Sequence, residues 1–271
     1  MVGETNFVYK KTQGAELGLT FLPPENKVFE NAPLYFLLPG GGWHKGTRRS
    51  MIVFSEQSVS DLRKRGFAVA AANYRLTSDG ITNVYDILED CFDALSYMCG
   101  NAAECGIDAG NIILSGHSAG AHLALMLGYC DCEKFSKNKK NYNIKGIAAM
   151  SAPTVLYDNR THRLTESIAA LFRNCDFDKA AKETSPTAYV SKNCPPTLLC
   201  AGTSDYLVFA VSSEILYSKL KEKGAEADII LSVGGGHSFE KVHGSVEPSV
   251  SMEEIQARIT EFAISHIDKK I

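Results

Sequence analysis

The sequence has no long apolar run, no excess of one charge and almost no tryptophan, with one in 271 residues. Each absence closes off a class of protein. No segment approaches the ~20 consecutive apolar residues that a membrane-spanning helix needs, so no membrane partner is expected. Lys and Arg number 28 against 31 Asp and Glu, a net charge of -3, so no basic field draws in nucleic acid. The opening stretch MVGETNFVYKKTQGAELG lacks a basic head followed by an apolar run. No signal peptide is read there, and a cytoplasmic protein is the expectation. Cysteines are present, at positions 91, 99, 105, 130, 132, 175, 194 and 200, but they are scattered and read as free thiols in a reducing compartment. Cys130 and Cys132 form a Cys-x-Cys pair without a second pair at zinc-site spacing, so no metal is expected.

What is present is an ordinary globular composition, 45% hydrophobic and 22% charged, enough for one core over residues 1–271. Short continuous apolar runs alternate with amphipathic stretches, which predicts an α/β protein with a mostly parallel sheet covered on both faces by helices. The strand candidates are Ala32 to Gly40, Phe67 to Tyr74, Asn111 to Gly116, Gly146 to Pro153, Pro196 to Gly202 and Ala227 to Gly234. Helices are expected over Met51 to Arg65, Asn83 to Cys99, Ala119 to Tyr129, Tyr206 to Lys223 and Met252 to Ile267. Before them, NFVYK and LGLTFLPP can add an antiparallel edge. Leu156 to Val190 breaks the alternation; it reads either as a surface excursion or as a small helical cap over a pocket. Glu133 to Lys145, rich in lysine, reads as a solvated loop.

One stretch carries a chemical signal. In NIILSGHSAGAHLALMLGY an apolar strand run ends at Gly116 and a helical run begins at Ala119, so Gly116-His117-Ser118-Ala119-Gly120 satisfies G-x-S-x-G in the context that motif demands. The alternative is a merely structural turn. A serine hydroxyl needs a base, an orienting acid and donors for a developing oxyanion. His237, in VGGGHSF after the last strand candidate, and Asp205, at the end of the strand before it, complete the chain order serine, acid, histidine. Asp205 can equally cap the helix expected to begin near Tyr206. The glycines of LLPGGGWHKG suit either an anion-binding loop or a flexible turn.

Taken together and in this order, LLPGGGW, NYRL, GIDAGNIILSGHSAGAHLAL, SPTAYV, PPTLLCAGTSD and GGGHSF resemble the α/β-hydrolase superfamily. The likeness runs from about Pro33 to Phe239 and is nearest to the hormone-sensitive-lipase-like carboxylesterases. The resemblance implies Ser118 as nucleophile, Asp205 as orienting acid, His237 as general base, and the N–H groups of Gly41, Gly42 and Ala119 as the oxyanion hole. Where that family usually begins its loop with His, this chain has Pro39, as in relatives resembling bacterial acetylxylan and feruloyl esterases. Asn73 stands where many relatives carry Asp and is read as structural support. Trp43 is expected either to form a substrate wall or to anchor the loop. Lys45, Arg48 and Arg49 are read as a solvated basic helix start or as a greeting for an acidic substrate. The implied activity is hydrolysis of short-chain esters, including those of sugars or xylan-derived oligosaccharides, through an acyl-enzyme and without a cofactor. A small-molecule ester is the expected partner, and a homo-oligomer is left open. GHSAGAHLA is also similar to the kynurenine formamidases, which makes an arylformamidase the alternative. A non-catalytic, ligand-binding α/β-hydrolase stands as the reading from another class.

Overall fold

The computed structural model describes residues 3–138 and 141–268. Lys139 and Lys140 of the lysine-rich loop, and the side chain of Cys132, lie outside them.

Eight strands form one sheet: β1 (Thr5–Thr12), β2 (Ala15–Leu22), β3 (Ala32–Leu38), β4 (Ala68–Ala72), β5 (Ile107–His117), β6 (Ile144–Met150), β7 (Thr197–Gly202) and β8 (Ala227–Ser232). Their order is β1-β2-β4-β3-β5-β6-β7-β8. From β4 to β8 every neighbouring pair is parallel, whereas β1 and β2 form an antiparallel hairpin docked antiparallel on β4. The six apolar runs are the six parallel strands, and the two amino-terminal segments form the antiparallel edge. Central strands such as β3 and β4 are buried at every position, which is why they read as unbroken apolar runs.

Nine helices surround the sheet among the described residues: α1 (Arg48–Phe54), α2 (Glu56–Lys64), α3 (Val84–Gly100), α4 (Ala102–Cys105), α5 (Ala119–Tyr129), α6 (Thr165–Leu171), α7 (Phe177–Glu183), α8 (Ala210–Glu222) and α9 (Met252–His266). Ile87 and Leu88 of α3, Leu123 of α5 and Leu216 of α8 fill the core on one face. Met51 of α1, Leu62 of α2 and Ile255 and Ile259 of α9 fill it on the other. No described helix is long and apolar enough to cross a membrane.

Two expected helices differ from the structure. Met51 to Arg65 is not one helix but two, broken at Ser55. The break is held open by Gln256 of α9, whose amide donates to the Phe54 carbonyl at 2.9 Å and accepts from the Ser58 N–H at 3.0 Å. The helix expected from Tyr206 starts only at Ala210. Asp205 is the cause: its Oδ1 accepts from the N–H groups of Leu207 (2.8 Å) and Val208 (3.0 Å), closing a turn that precedes the helix. Asp205 therefore does not cap α8.

The NYRL segment, Asn73 to Leu76, is fixed from both sides. Asn73 accepts from the Arg48 N–H at 2.8 Å, and its carbonyl accepts from Tyr9 at 2.7 Å, the supporting role expected of it. Arg75 and Lys10 converge on the fully buried carboxylate of Asp90, tying β1 and this segment to α3.

Candidate active site

The turn between β5 and α5 holds Ser118 at φ 53° and ψ −119°, a backbone conformation that costs an L-residue about 1–3 kcal/mol. The glycines around it are required by space. A Cβ on Gly120 would lie 2.0 Å from the Leu38 carbonyl oxygen, and one on Gly116 would lie 2.3 Å from the Gly120 carbonyl carbon. Strand, turn and helix approach so closely that only glycine fits at positions 116 and 120. The Ser118 N–H donates to the Met150 carbonyl at 2.8 Å, and the Ser118 carbonyl accepts from the His122 N–H at 3.0 Å. The strain is thereby held from both ends.

Asp205 and His237 meet as their chain order suggested. His237 Nδ1 lies 2.6 Å from Asp205 Oδ2, and the carboxylate side chain is fully buried. A carboxylate only accepts, so Nδ1 carries a proton, and in the neutral imidazole Nε2 is the nitrogen free to take one. The loop after β8 reaches this position because Gly202, at the end of β7, has no side chain. A Cβ there would lie 2.3 Å from the carbonyl oxygens of both Gly235 and Gly236. On the other side, His117 Nε2 and Ser151 Oγ both donate to the His237 carbonyl, at 2.9 and 2.8 Å. His237 is thus pinned between the residue that precedes Ser118 and the residue that follows β6. No hydrogen bond joins Ser118 Oγ to His237 in this structure; such contacts are commonly loose without substrate and tighten around it.

The glycine loop after β3 forms the third side. Gly41 and Gly42 have φ of 120° and 60°. A Cβ on Gly41 would lie 2.3 Å from the Lys45 carbonyl oxygen. The N–H groups of Gly41, Gly42 and Ala119 have no protein acceptor among the described residues. The loop is held by its ends, with Tyr74 donating to the Pro39 carbonyl at 2.7 Å and the Thr77 N–H donating to the Trp43 carbonyl at 3.0 Å. Proline at position 39 costs this arrangement nothing, since that residue contributes only its carbonyl. Arg48 donates to Thr20 and Arg49 pairs with Glu4, so these two cations brace the edge hairpin instead of facing a substrate.

Trp43 has no exposed surface. It is the anchor of the loop and presents no wall to a substrate, which corrects one half of the expectation for it. Its Nε1 donates to His122 Nδ1 at 3.3 Å, and His122 Nε2 lies 2.7 Å from the Thr184 carbonyl. Indole only donates and a carbonyl only accepts, so His122 is neutral with its proton on Nε2. In the sequence His122 is marked only as a lone polar residue within the apolar run AHLALML. His122 also links the loop to the 156–190 segment. That segment contributes α6, whose Ser167 hydroxyl lies 3.0 Å from where a Gly42 Cβ would be.

Burial holds the His122 imidazole down at about 4, against 6.5 in the unfolded chain. Between those values the unfolded chain takes up a proton that the folded one refuses. Stability is therefore complete above about pH 6.5 and lost as pH falls toward 4, by about 3 kcal/mol from this residue. His117 is lowered in the same direction by burial and by His237. In His122→Phe, urea unfolding at a series of pH values is expected to show lower stability at neutral pH and a shallower loss in acid. An unchanged acid slope would contradict this account of His122.

An eight-stranded sheet with a strained serine at the central strand-to-helix turn, and an Asp–His pair supplied by the two later strand ends, defines an α/β-hydrolase with the constellation of a serine hydrolase. Within that class the chain belongs to the BD-FAE family, whose model matches residues 20–220. Among curated proteins it is 27% identical over 233 residues to the Oryza sativa subsp. japonica protein named Probable isoprenylcysteine alpha-carbonyl methylesterase, covering 80% of this chain and 54% of that one. It is 25% identical over 195 residues to Probable carboxylic ester hydrolase LipM of Mycobacterium tuberculosis, covering 68% and 44%. The chain spans about half the length of the curated relatives it matches. Among solved structures, the propionate-bound esterase 2 of Thermogutta terrifontis superposes with a TM-score of 0.79 at 22% identity, over 100% of this chain and 97% of that one. A truncated carbohydrate esterase from gut microbiota gives 0.77 at 22%, over 97% and 96%.

Proposed function

We propose that this protein is a serine carboxylesterase that cleaves short esters through an acyl-enzyme. The observation that carries the reading is the 2.6 Å Asp205–His237 pair beside the strained Ser118 turn. In the proposed cycle His237 Nε2 takes the Ser118 proton as Oγ bonds to the substrate carbonyl carbon. The carbonyl electron pair moves onto oxygen, where the N–H groups of Gly41, Gly42 and Ala119 stabilise it. Collapse expels the alcohol, which leaves with the proton from His237. Water, deprotonated by the same base, then attacks the acyl carbon, and collapse releases the carboxylic acid and Ser118 Oγ, which takes the proton back from His237. Apart from substrate and water, the groups invoked in these steps are side chains and main-chain N–H groups of this protein.

The 156–190 segment acts in this reading as a small cap, because Ser167 of α6 reaches the oxyanion loop at Gly42 and Thr184 is bonded to His122. The substrate class is an ester of a small alcohol or a sugar. Methylesterases among the curated relatives and a carbohydrate esterase among the structural ones support that range. The test is steady-state hydrolysis of p-nitrophenyl esters from acetate to octanoate, beside acetylated xylo-oligosaccharides, an S-prenylcysteine methyl ester and N-formylkynurenine. Esters turning over faster than N-formylkynurenine, with short acyl chains preferred, is the expected result. Preference for N-formylkynurenine would make the protein an arylformamidase instead, and failure of labelling by a fluorophosphonate would favour a binding protein.

A further inference from the structure

Positive φ is rare for residues other than glycine, and here it collects at the site. Trp43, Ser118, Ser151 and Phe239 show it, four of the five non-glycine residues that do among the described residues, Asn174 being the fifth. The first two belong to the loop and the elbow, and Phe239 follows the base by two positions. Ser151, at φ 49°, has had no role in the cycle above. Yet its neighbourhood is specific. Its N–H donates to the Cys200 carbonyl of β7 at 2.8 Å, and its hydroxyl donates to the His237 carbonyl at 2.8 Å. The carbonyl of the preceding residue, Met150, accepts from the Ser118 N–H. Consecutive groups around one strained residue thus bind the nucleophile, the strand that carries the acid, and the base.

Glycine would adopt this backbone without cost, so the side chain is what the strain retains. That side chain is nearly inaccessible, at 1% exposure, and its hydroxyl is committed to the His237 carbonyl. One donor satisfies a carbonyl; this one has two. The second comes from His117, whose ring lies against those of Phe54 and His237 at centroid distances of 4.5 and 4.7 Å. Donors from the ends of two different strands, β5 and β6, fix a carbonyl in two directions, whereas one leaves it free to swing. We infer that Ser151 and His117 are positioning residues, a two-donor clamp on the main-chain carbonyl of His237 that sets its ring against Ser118. The inference rests on the reading of His237 as general base.

The test compares Ser151→Gly, Ser151→Ala, His117→Phe and the Ser151→Gly/His117→Phe double variant, using the best ester and Ser118→Ala as control. Glycine relieves the backbone strain and alanine keeps it, so the melting temperature of the glycine variant is expected to exceed that of the alanine variant. Both are nevertheless expected to lose about tenfold in kcat with KM nearly unchanged, part of the roughly hundredfold that a 1 Å misplacement costs. The double variant is expected to lose on the order of a hundredfold, and fluorophosphonate labelling of Ser118, which uses the same base, is expected to slow in parallel. Activity that depends on Ser118 but is unchanged in Ser151→Gly would overturn the clamp alone. A kcat loss that follows melting temperature, with alanine losing and glycine not, would also overturn it. Activity that survives in Ser118→Ala would remove the active-site reading and the clamp with it.

Discussion

Replacing Ser118 with alanine is expected to lower ester turnover by about a millionfold, toward the rate in buffer, because no second nucleophile stands at the elbow. The fold is expected to survive. Alanine keeps the Cβ and therefore the same cost at φ 53°, and the main-chain bonds to Met150 and His122 do not involve the hydroxyl. Ser118→Gly sharpens the experiment. It is equally inactive but relieves the backbone, so it is expected to unfold at a higher temperature than the alanine variant, by about 1 kcal/mol of stability. A protein that is more stable and inactive with glycine at this position shows that strain is maintained for the hydroxyl. Steady-state kinetics, fluorophosphonate labelling and thermal unfolding of the two variants measure all three quantities, and turnover persisting in either would end the assignment of Ser118 as nucleophile.

The reasons for this arrangement are unequally visible in the sequence. The central strands were legible because parallel strands covered on both faces must be apolar throughout, and β3 and β4 are. The elbow was legible for a steric reason: Gly116 and Gly120 face backbone atoms at distances no Cβ tolerates. Asp205 and His237 stood out by their placement after strands, since open α/β sheets build sites at carboxyl ends, and the structure brings the two together. The features that escaped depend on partners distant in sequence. The break at Ser55 is made by Gln256, and the late start of α8 is helped by the 156–190 segment, where the Arg163 N–H donates to the Leu207 carbonyl. Trp43 could be read as wall or anchor until its buried partner His122 was in place. Ser151 gives no signal in MSAP, because neither its φ nor the carbonyl it bonds is encoded locally.

The second large effect is expected in Asp205→Asn, at about ten thousandfold in kcat with little change in fold. The two carboxylate oxygens have separate tasks. Oδ1 accepts from the N–H groups of Leu207 and Val208 and shapes the loop, and Oδ2 accepts from His237 Nδ1. An asparagine amide can leave its oxygen on the loop amides and turn its NH2 toward His237. The ring must then accept at Nδ1 and carry its own proton on Nε2, where the Ser118 proton should arrive. The base is present, in place and in the wrong tautomer. Asp205→Ala differs in a way that separates these tasks, since it also strips the loop amides of their acceptor and is expected to cost about 1–3 kcal/mol of stability. Urea unfolding is therefore expected to distinguish the alanine variant from wild type and leave the asparagine variant near it, while kinetics group the two variants together. If Asp205→Asn retained turnover within about tenfold of wild type, orientation of the base would have to come from elsewhere. The carbonyl clamp of His117 and Ser151 is the remaining contact that holds it, and it fixes where the residue sits without choosing which ring nitrogen bears the proton.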